Sequence, residues 1–256
     1  MLQVERLNRI EKLLRAENML SATELQETLG VSRATIYRDL KYLSDCGTVK
    51  LVRGGATLPQ YNNLIVDDEP YAKKIKQYQE EKERIAYRAS EYVSPRMTLF
   101  LDSSTTVYKM CDHLKKIEDL HVITNDLKIA IELRGEPNVT VFVVGGQLRR
   151  TYYTTTIYNQ NQCLQGISAD ICFFASDAIN INNGFMITNS EESLVKEHML
   201  GISNKHIALC DHSKFEKTAF CSFAPIESAD IIITGKELPE ELQEKYSKEN
   251  TELILV

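Results

Sequence analysis

The chain has 256 residues, 43% hydrophobic and 26% charged, with a formal net charge of −6, six cysteines and no tryptophan. That length fits one large domain or a large and a small one, and the composition excludes global disorder and fibrous repeats. No run of about 18 consecutive apolar residues is present, so no transmembrane helix is expected, and the opening MLQVERLNRIEKLL mixes charge with leucine, unlike a secretory signal. The expected location is the cytoplasm. Taken alone, the acidic balance argues against nucleic acid as a partner. The charge is unevenly placed, however. Residues 1–58 hold nine basic against seven acidic residues, a balance of +2, which leaves −8 on the remainder. Such a split points to two modules with different partners.

In residues 3–17, Leu7, Ile10, Leu13 and Leu14 recur at helical spacing with Glu11, Lys12 and Arg15 between them, which predicts an amphipathic helix. Ser21-Ala22-Thr23-Glu24 has capping-box spacing and opens a second helix, with Leu25 and Leu29 on one face and Gly30 as its left-handed end. Ser32 is placed to cap a third helix from Arg33 to Leu43. Ile36, Leu40 and Leu43 would face inward there, and Arg33, Thr35, Tyr37, Arg38 and Lys41 outward. Two short helices across a tight glycine turn, the second polar and basic on its exposed N-terminal face, form the helix-turn-helix arrangement. Arginine can fork onto guanine edges or phosphates, hydroxyls can hold phosphate oxygens, and a tyrosine ring can stack. Residues 47–56 then alternate like a hairpin closed at Gly54-Gly55, a wing that would carry Lys50 and Arg53. Candidate DNA-binding residues are therefore Ser21, Ser32, Arg33, Thr35, Tyr37, Arg38, Lys41, Lys50 and Arg53. The plainer alternative is a helical protein-docking module with a solvated basic face.

The polar, proline-bracketed stretch 59–75 reads as a linker. Beyond it, over residues 76–256, apolar runs alternate with helical patterns. Strands are expected at 97–101, 121–124, 139–144, 171–175, 206–210, 231–234 and 253–256. Helices are expected over 76–93, 106–117, 126–134, 190–203 and 238–248. Continuous apolar runs imply strands buried on both faces, hence a mainly parallel sheet covered by helices. The expected fold class is a small α+β winged helix-turn-helix domain over 1–58, followed by an α/β, mainly parallel-sheet, effector-binding domain.

Ligands of such sheets gather at the carboxyl ends of strands. Here Asp102-Ser103-Ser104-Thr105-Thr106 follows the first strand and opens a helix, an anion cradle without the G-K-[ST] of a P-loop. Thr124-Asn125-Asp126, Gly145-Gly146 with Arg149, Asp177, and Asp211-His212-Ser213-Lys214 follow later strands. Hydroxyls, carboxylates and a lysine converging on an anion cradle suit a phosphorylated polyol. Singly, each is explained as well by an N-cap or a strand-end turn. The cysteines (Cys46, Cys111, Cys163, Cys172, Cys210 and Cys221) include no C-x-x-C pair, and the five histidines show no zinc-like spacing. Reduced thiols, no metal and no cofactor are expected.

Glu24-Leu25, Val31-Ser32, Thr35-Ile36-Tyr37-Arg38-Asp39-Leu40, Gly47 and Arg53-Gly54-Gly55-Ala56 resemble the winged helix-turn-helix of the DeoR family of bacterial transcription regulators. Leu101 to Thr106, Ile123 to Asp126, Val144 to Arg149, Glu191 to Lys196 and Asp211 to Phe215 resemble that family's C-terminal domain, which is similar to sugar-phosphate isomerases. Together these stretches cover nearly the whole chain. The resemblance implies a regulator, expected to be a repressor, whose operator affinity responds to a sugar phosphate or related metabolite. It implicates Asp102, Ser104, Thr105 and Thr106 in phosphate binding, with Asn125, Lys196 and Lys214 facing sugar or phosphate. The effector candidates are thus Asp102, Ser103, Ser104, Thr105, Thr106, Asn125, Gly145, Gly146, Arg149, Asp177, Lys196 and Lys214. The sequence departs from the family pattern at Tyr37, Arg53, Ser104, Tyr158, Ala175, Ala178 and Gly235, which implies a reshaped pocket and a different operator.

The expected partners are double-stranded operator DNA, a phosphorylated small molecule and further copies in a homo-oligomer, with no membrane. The rival is an enzyme, a sugar-phosphate isomerase with an N-terminal docking module, in which Asp102, Asp177, Glu192 or Lys214 would move a proton. Against it, Ser176 and Ala178 stand where a second acid beside Asp177 is expected. A pure interaction adaptor leaves the wing unexplained.

Overall fold

The computed structural model describes residues 3–17, 19–45, 48–52, 54–57, 65, 69–149, 152–156 and 164–256. The chain divides into two compact units, Met1–Asp67 and Asp68–Val256. Arg53, Gly47, Cys46, Arg150, Tyr158, Cys163 and most of the expected linker lie outside the described residues.

The first unit comprises α1 (Gln3–Glu17), β1 (Met19–Ser21), α2 (Ala22–Leu29), α3 (Arg33–Asp45), β2 (Lys50–Val52) and β3 (Gly55–Thr57). Ile10, Leu14, Leu25, Ile36 and Leu40 are fully buried in its core, with Leu7 and Leu13 packed alongside. Glu24 N donates to Ser21 Oγ at 3.1 Å and Ser21 N to Glu24 Oε2 at 2.8 Å, so the capping box is closed in both directions. Gly30 ends α2 with φ +64°, a left-handed conformation that L side chains resist. The strands form an antiparallel sheet in the order β1-β3-β2. In it, a Cβ on Gly55 would stand 2.1 Å from Leu20 O, so only glycine admits the β1–β3 pairing. The wing hairpin appears where the sequence places it. The strand β1 was not foreseen, because three residues between two helices carry no periodic signal.

The second unit is built on a seven-stranded, wholly parallel sheet. Its strands are β4 (Thr98–Leu101), β5 (Leu120–Thr124), β6 (Val139–Val143), β9 (Ala169–Phe174), β12 (Ser203–Leu209), β14 (Ile231–Thr234) and β15 (Glu252–Leu255). Their spatial order is β15-β14-β12-β9-β4-β5-β6. Apolar residues fill both faces: Leu99, Leu101, Phe173 and Leu209 pack on one side, and Phe100, Phe174 and Ala208 on the other. The first face is covered by α5 (Gln79–Ser90), α6 (Thr105–Tyr108), α7 (Cys111–Leu114) and α8 (Leu127–Leu133). The second is covered by α9 (Ser193–Gly201), α10 (Glu240–Tyr246) and a small antiparallel sheet. That sheet orders β10 (Ala178–Asn180), β11 (Gly184–Ile187) and β13 (Cys221–Ala224). A separate antiparallel pair joins β7 (Gln147–Leu148) with β8 (Thr155–Thr156).

The helix expected over 106–117 is two single turns, α6 and α7. The turn α4 (Tyr71–Lys74) lies inside the stretch read from the sequence as linker. Cys111, Cys172 and Cys210 are buried and Cys221 is partly so, all as free thiols.

Candidate functional site

The first unit presents a polar face on α3. Ser32 is exposed, and its Oγ lies 2.9 Å from Thr35 Oγ1 and accepts from the Thr35 amide at 3.3 Å, holding the first turn. Arg33, Tyr37 and Lys41 follow four residues apart on the exposed side, with exposed Arg38 beside them. Arg33 Nη2 donates to Tyr37 Oη at 3.4 Å, and its guanidinium sits 5.7 Å from that ring. Lys50 is exposed on β2, and Thr35 is half-buried. Ser21 is also half-buried, its oxygen engaged by the Glu24 amide. Behind this face Asp39 is fully buried and paired with Arg6 from α1, with Arg6 Nη2 donating to Oδ1 at 3.1 Å. That pair locks α1 onto α3, and an acid on the inner side of a basic helix would have flagged it in the sequence.

In the second unit a cleft opens at the carboxyl ends of β4, β9 and β12. It gathers Ser103, Ser104, Thr105, Thr106, Arg149, Asp177, Lys196 and Lys214 from the sequence-predicted set. Asp102 lies just outside the lining and 1% exposed; Lys196 Nζ donates to its Oδ2 at 2.5 Å and to Ala175 O at 2.9 Å. Burial alone would lower the Lys196 pKa, but the Asp102 and Glu192 carboxylates outweigh it and raise the pKa above the ordinary value. Asn125 is buried outside the lining, with Nδ2 donating to Thr155 O at 3.3 Å and Oδ1 without a partner among the described residues. Gly145 and Gly146 are exposed and outside the lining.

Residues the sequence did not single out contribute as much. Lys74 Nζ donates to Asp177 Oδ1 at 2.7 Å, while Asp177 Oδ2 accepts from the Thr188 amide and hydroxyl at 3.0 and 2.9 Å. Burial opposes ionisation of Asp177, but Lys74 and these hydrogen bonds hold its carboxyl below the usual range. Lys82 Nζ donates to Lys74 O at 2.6 Å and stands 4.0 Å from Asp211. Burial pushes Lys82 down to about 8; Asp211 opposes this, and Lys214 and Lys74 add to it. Arg149 is paired with Glu192. Lys82 shares the buried stripe of α5 with Ile85, Ala86 and Ala89, and a lysine inside an apolar helical stripe was the signal available. Tyr71 and Lys74 carried no such signal.

The positive pole differs from the cradle read in the sequence. The helix after β4 is one turn, and Ser104 Oγ already accepts from the Thr106 amide at 3.1 Å and from the Val107 amide at 3.5 Å. Lys74, Lys82 and Lys214 line the cleft together with Thr105 and Thr106, beside the carboxylate-paired Arg149 and Lys196. The Lys214 ammonium makes no hydrogen bond or ion pair among the described residues. Next to Lys82, Glu81 accepts from the His212 and Gly235 amides at 2.7 and 3.2 Å, and its side chain and the Glu237 carboxylate fill the space a side chain at Gly235 would need. Among the described residues no group of three or more His, Cys, Asp or Glu is placed to hold a metal ion. No helix there is long and apolar enough to cross a membrane.

Comparison with known proteins agrees with both halves. The DeoR C terminal sensor domain matches residues 77–236, and an HTH domain matches residues 6–56. The HTH-type transcriptional regulator GolR of Listeria innocua is 32% identical over 96% of this chain and 96% of its own. The HTH-type transcriptional repressor GlcR of Bacillus subtilis is 30% identical over 92% of this chain and 90% of its own. Among solved structures, the sorbitol operon regulator SorC of Klebsiella pneumoniae superposes with a TM-score of 0.40 at 12% identity, covering 94% of this chain and 99% of that one. That likeness is too distant to bear on function.

Proposed function

The chain belongs to the DeoR family of helix-turn-helix transcriptional regulators, and on that premise we propose that its α/β unit senses a phosphorylated sugar that changes operator affinity. The observation carrying this reading is the meeting of Lys74, Lys82 and Lys214 with the Thr105 and Thr106 hydroxyls in one cleft. Three ammonium groups, one already depressed by burial, leave a charge that an incoming phosphate neutralises with charge-assisted hydrogen bonds. Asp126 and the Ser103 and Thr154 hydroxyls in the same cleft suit a sugar's hydroxyls.

On the other unit, Arg33, Tyr37, Arg38 and Lys41 form the surface that reads an operator half-site, with Lys50 on the wing toward the backbone. One small module offers limited specificity, so the regulator acts as a homo-oligomer pairing two heads. The similarity to GlcR, a transcriptional repressor, supports repression as the sign of control. The isomerase reading is weakened because Ser176 and Ala178 flank Asp177, whose carboxylate is already held by Lys74 and Thr188. A thermal-shift screen of the full chain against sugar phosphates and their free sugars tests the proposal. A phosphorylated sugar is expected to raise Tm where its free sugar does not, by the free energy that ligand binding adds to the folded state. No shift with any phosphorylated sugar overturns it.

A further inference from the structure

An aromatic wall of the cleft adjoins the lysine pole. Tyr71 opens α4 and is 8% exposed, its ring edge-on to Tyr153 at 5.5 Å, with the Lys128 ammonium 4.5 Å from both rings. The Tyr71 hydroxyl is buried and has no hydrogen-bond partner among the described residues. A buried phenol left in this state is less stable than a phenylalanine of the same shape. Burial, with the Asp126 carboxylate adding to it, raises its pKa, so the oxygen keeps its proton and both its donor and acceptor capacity stand unused.

Asp126 lines the same cleft. Its Oδ1 accepts from the Lys128 and Ile129 amides at 2.7 and 3.3 Å, which caps α8. Oδ2 takes no hydrogen bond among the described residues. Ser103 Oγ and Thr154 Oγ1, 2.8 Å apart, stand in the same lining. Asp126 follows β5, whereas Asp211 and Lys214 follow β12, three strands away in the sheet. With strands about 4.8 Å apart, Asp126 stands across the sheet from Lys214, while Tyr71 shares the turn α4 with Lys74 and so lies between the two.

We infer that Tyr71 and Asp126 form a diol-recognising subsite that reads the hydroxyl end of the ligand. The inference rests on the cleft being the effector site. In a vicinal diol one hydroxyl donates to Asp126 Oδ2 and its neighbour accepts from Tyr71 Oη, which satisfies both groups at once. A ligand lacking that diol leaves the phenol orphaned, so the subsite discriminates among phosphates that the lysines alone would accept equally.

The test is calorimetric titration of the full chain with glycerol 3-phosphate, ribose 5-phosphate, fructose 6-phosphate, inorganic phosphate, free ribose and free fructose. The tightest sugar phosphate is expected to bind wild type at least tenfold more tightly than inorganic phosphate. Tyr71→Phe and Asp126→Asn are each expected to reduce that ratio about tenfold. Ligand-free Tyr71→Phe should melt no lower than wild type, because it removes an unpartnered hydroxyl. A ratio unchanged in Tyr71→Phe overturns the subsite and leaves the phosphate reading standing. Sugar phosphates that bind no tighter than inorganic phosphate do the same. Binding of a free sugar but no phosphate, weakened in Tyr71→Phe, supports the subsite and overturns the phosphate reading. Binding of none of the six overturns both.

Discussion

Lys74 Nζ lies 2.7 Å from Asp177 Oδ1, joining the first helical turn of the α/β unit to the carboxyl end of its central strand, β9. That turn follows shortly after the stretch that connects the chain from the DNA-binding unit. On the proposed reading an arriving phosphate would compete with Asp177 for the same ammonium and so change how the turn is held. Lys74→Met is therefore expected to weaken sugar-phosphate binding roughly tenfold, the scale of one lost hydrogen bond to a charged group. It should also shrink the ligand's effect on DNA affinity. Calorimetry on the variant checks the first outcome, and an unchanged affinity would remove Lys74 from the ligand site.

Lys82 is expected to make phosphate binding sensitive to pH. Its folded pKa is about 8 against an ordinary 10.5, so between those values the unfolded chain binds more protons. The contribution of this group to ligand-free stability consequently rises as pH rises from about 8 to about 10.5. Phosphate affinity runs the other way, because the ammonium is lost as pH passes 8. Affinity should fall roughly tenfold between about pH 7 and pH 9, and Lys82→Met should flatten that profile. A wild-type affinity constant across the window would contradict the assignment.

At the floor of the cleft, the buried Lys196–Asp102 pair is expected to matter for stability. Lys196→Met leaves the Asp102 carboxylate buried without its cation and is expected to cost about 3–5 kcal/mol by denaturant unfolding. A loss below about 1 kcal/mol would mean that the site relaxes around a neutral Asp102.

On the DNA-binding unit, Arg38→Ala should weaken operator binding by about 1–3 kcal/mol where the guanidinium forks onto a base. Lys50→Ala should weaken binding to all sequences alike and flatten its salt dependence. Equal affinity of Arg38→Ala and wild type would place Arg38 off the DNA.

The helix-turn-helix was legible because its signals are local. Ser21 and Glu24 are three residues apart, Gly30 closes the same helix, and Ile36, Leu40 and Leu43 share one stripe. The parallel sheet was legible for a similar reason, since both faces of each strand are apolar. The antiparallel sheet was not: its strands are three or four residues long, and β11 pairs Phe185 with Ala224, far along the chain. The cleft divides along the same line. Ser103 to Thr106, Asp177 and Lys214 follow strands and could be placed by rule. Tyr71, Lys74 and Lys82 precede the sheet, and only tertiary packing brings them to the carboxyl ends of its inner strands. The net charge of −6 hid the basic head until the chain was divided.

A phosphorylated sugar bound among Lys74, Lys82, Lys214 and Thr105 is expected to alter operator affinity. Fluorescence anisotropy of a labelled fragment from the protein's own promoter region, with and without the sugar phosphate giving the largest thermal shift, tests it most directly. A change in Kd of about 5–150-fold is predicted for wild type, the range of about 1–3 kcal/mol of coupling, and a much smaller change for Thr105→Ala. The same Kd with and without saturating ligand would contradict the account.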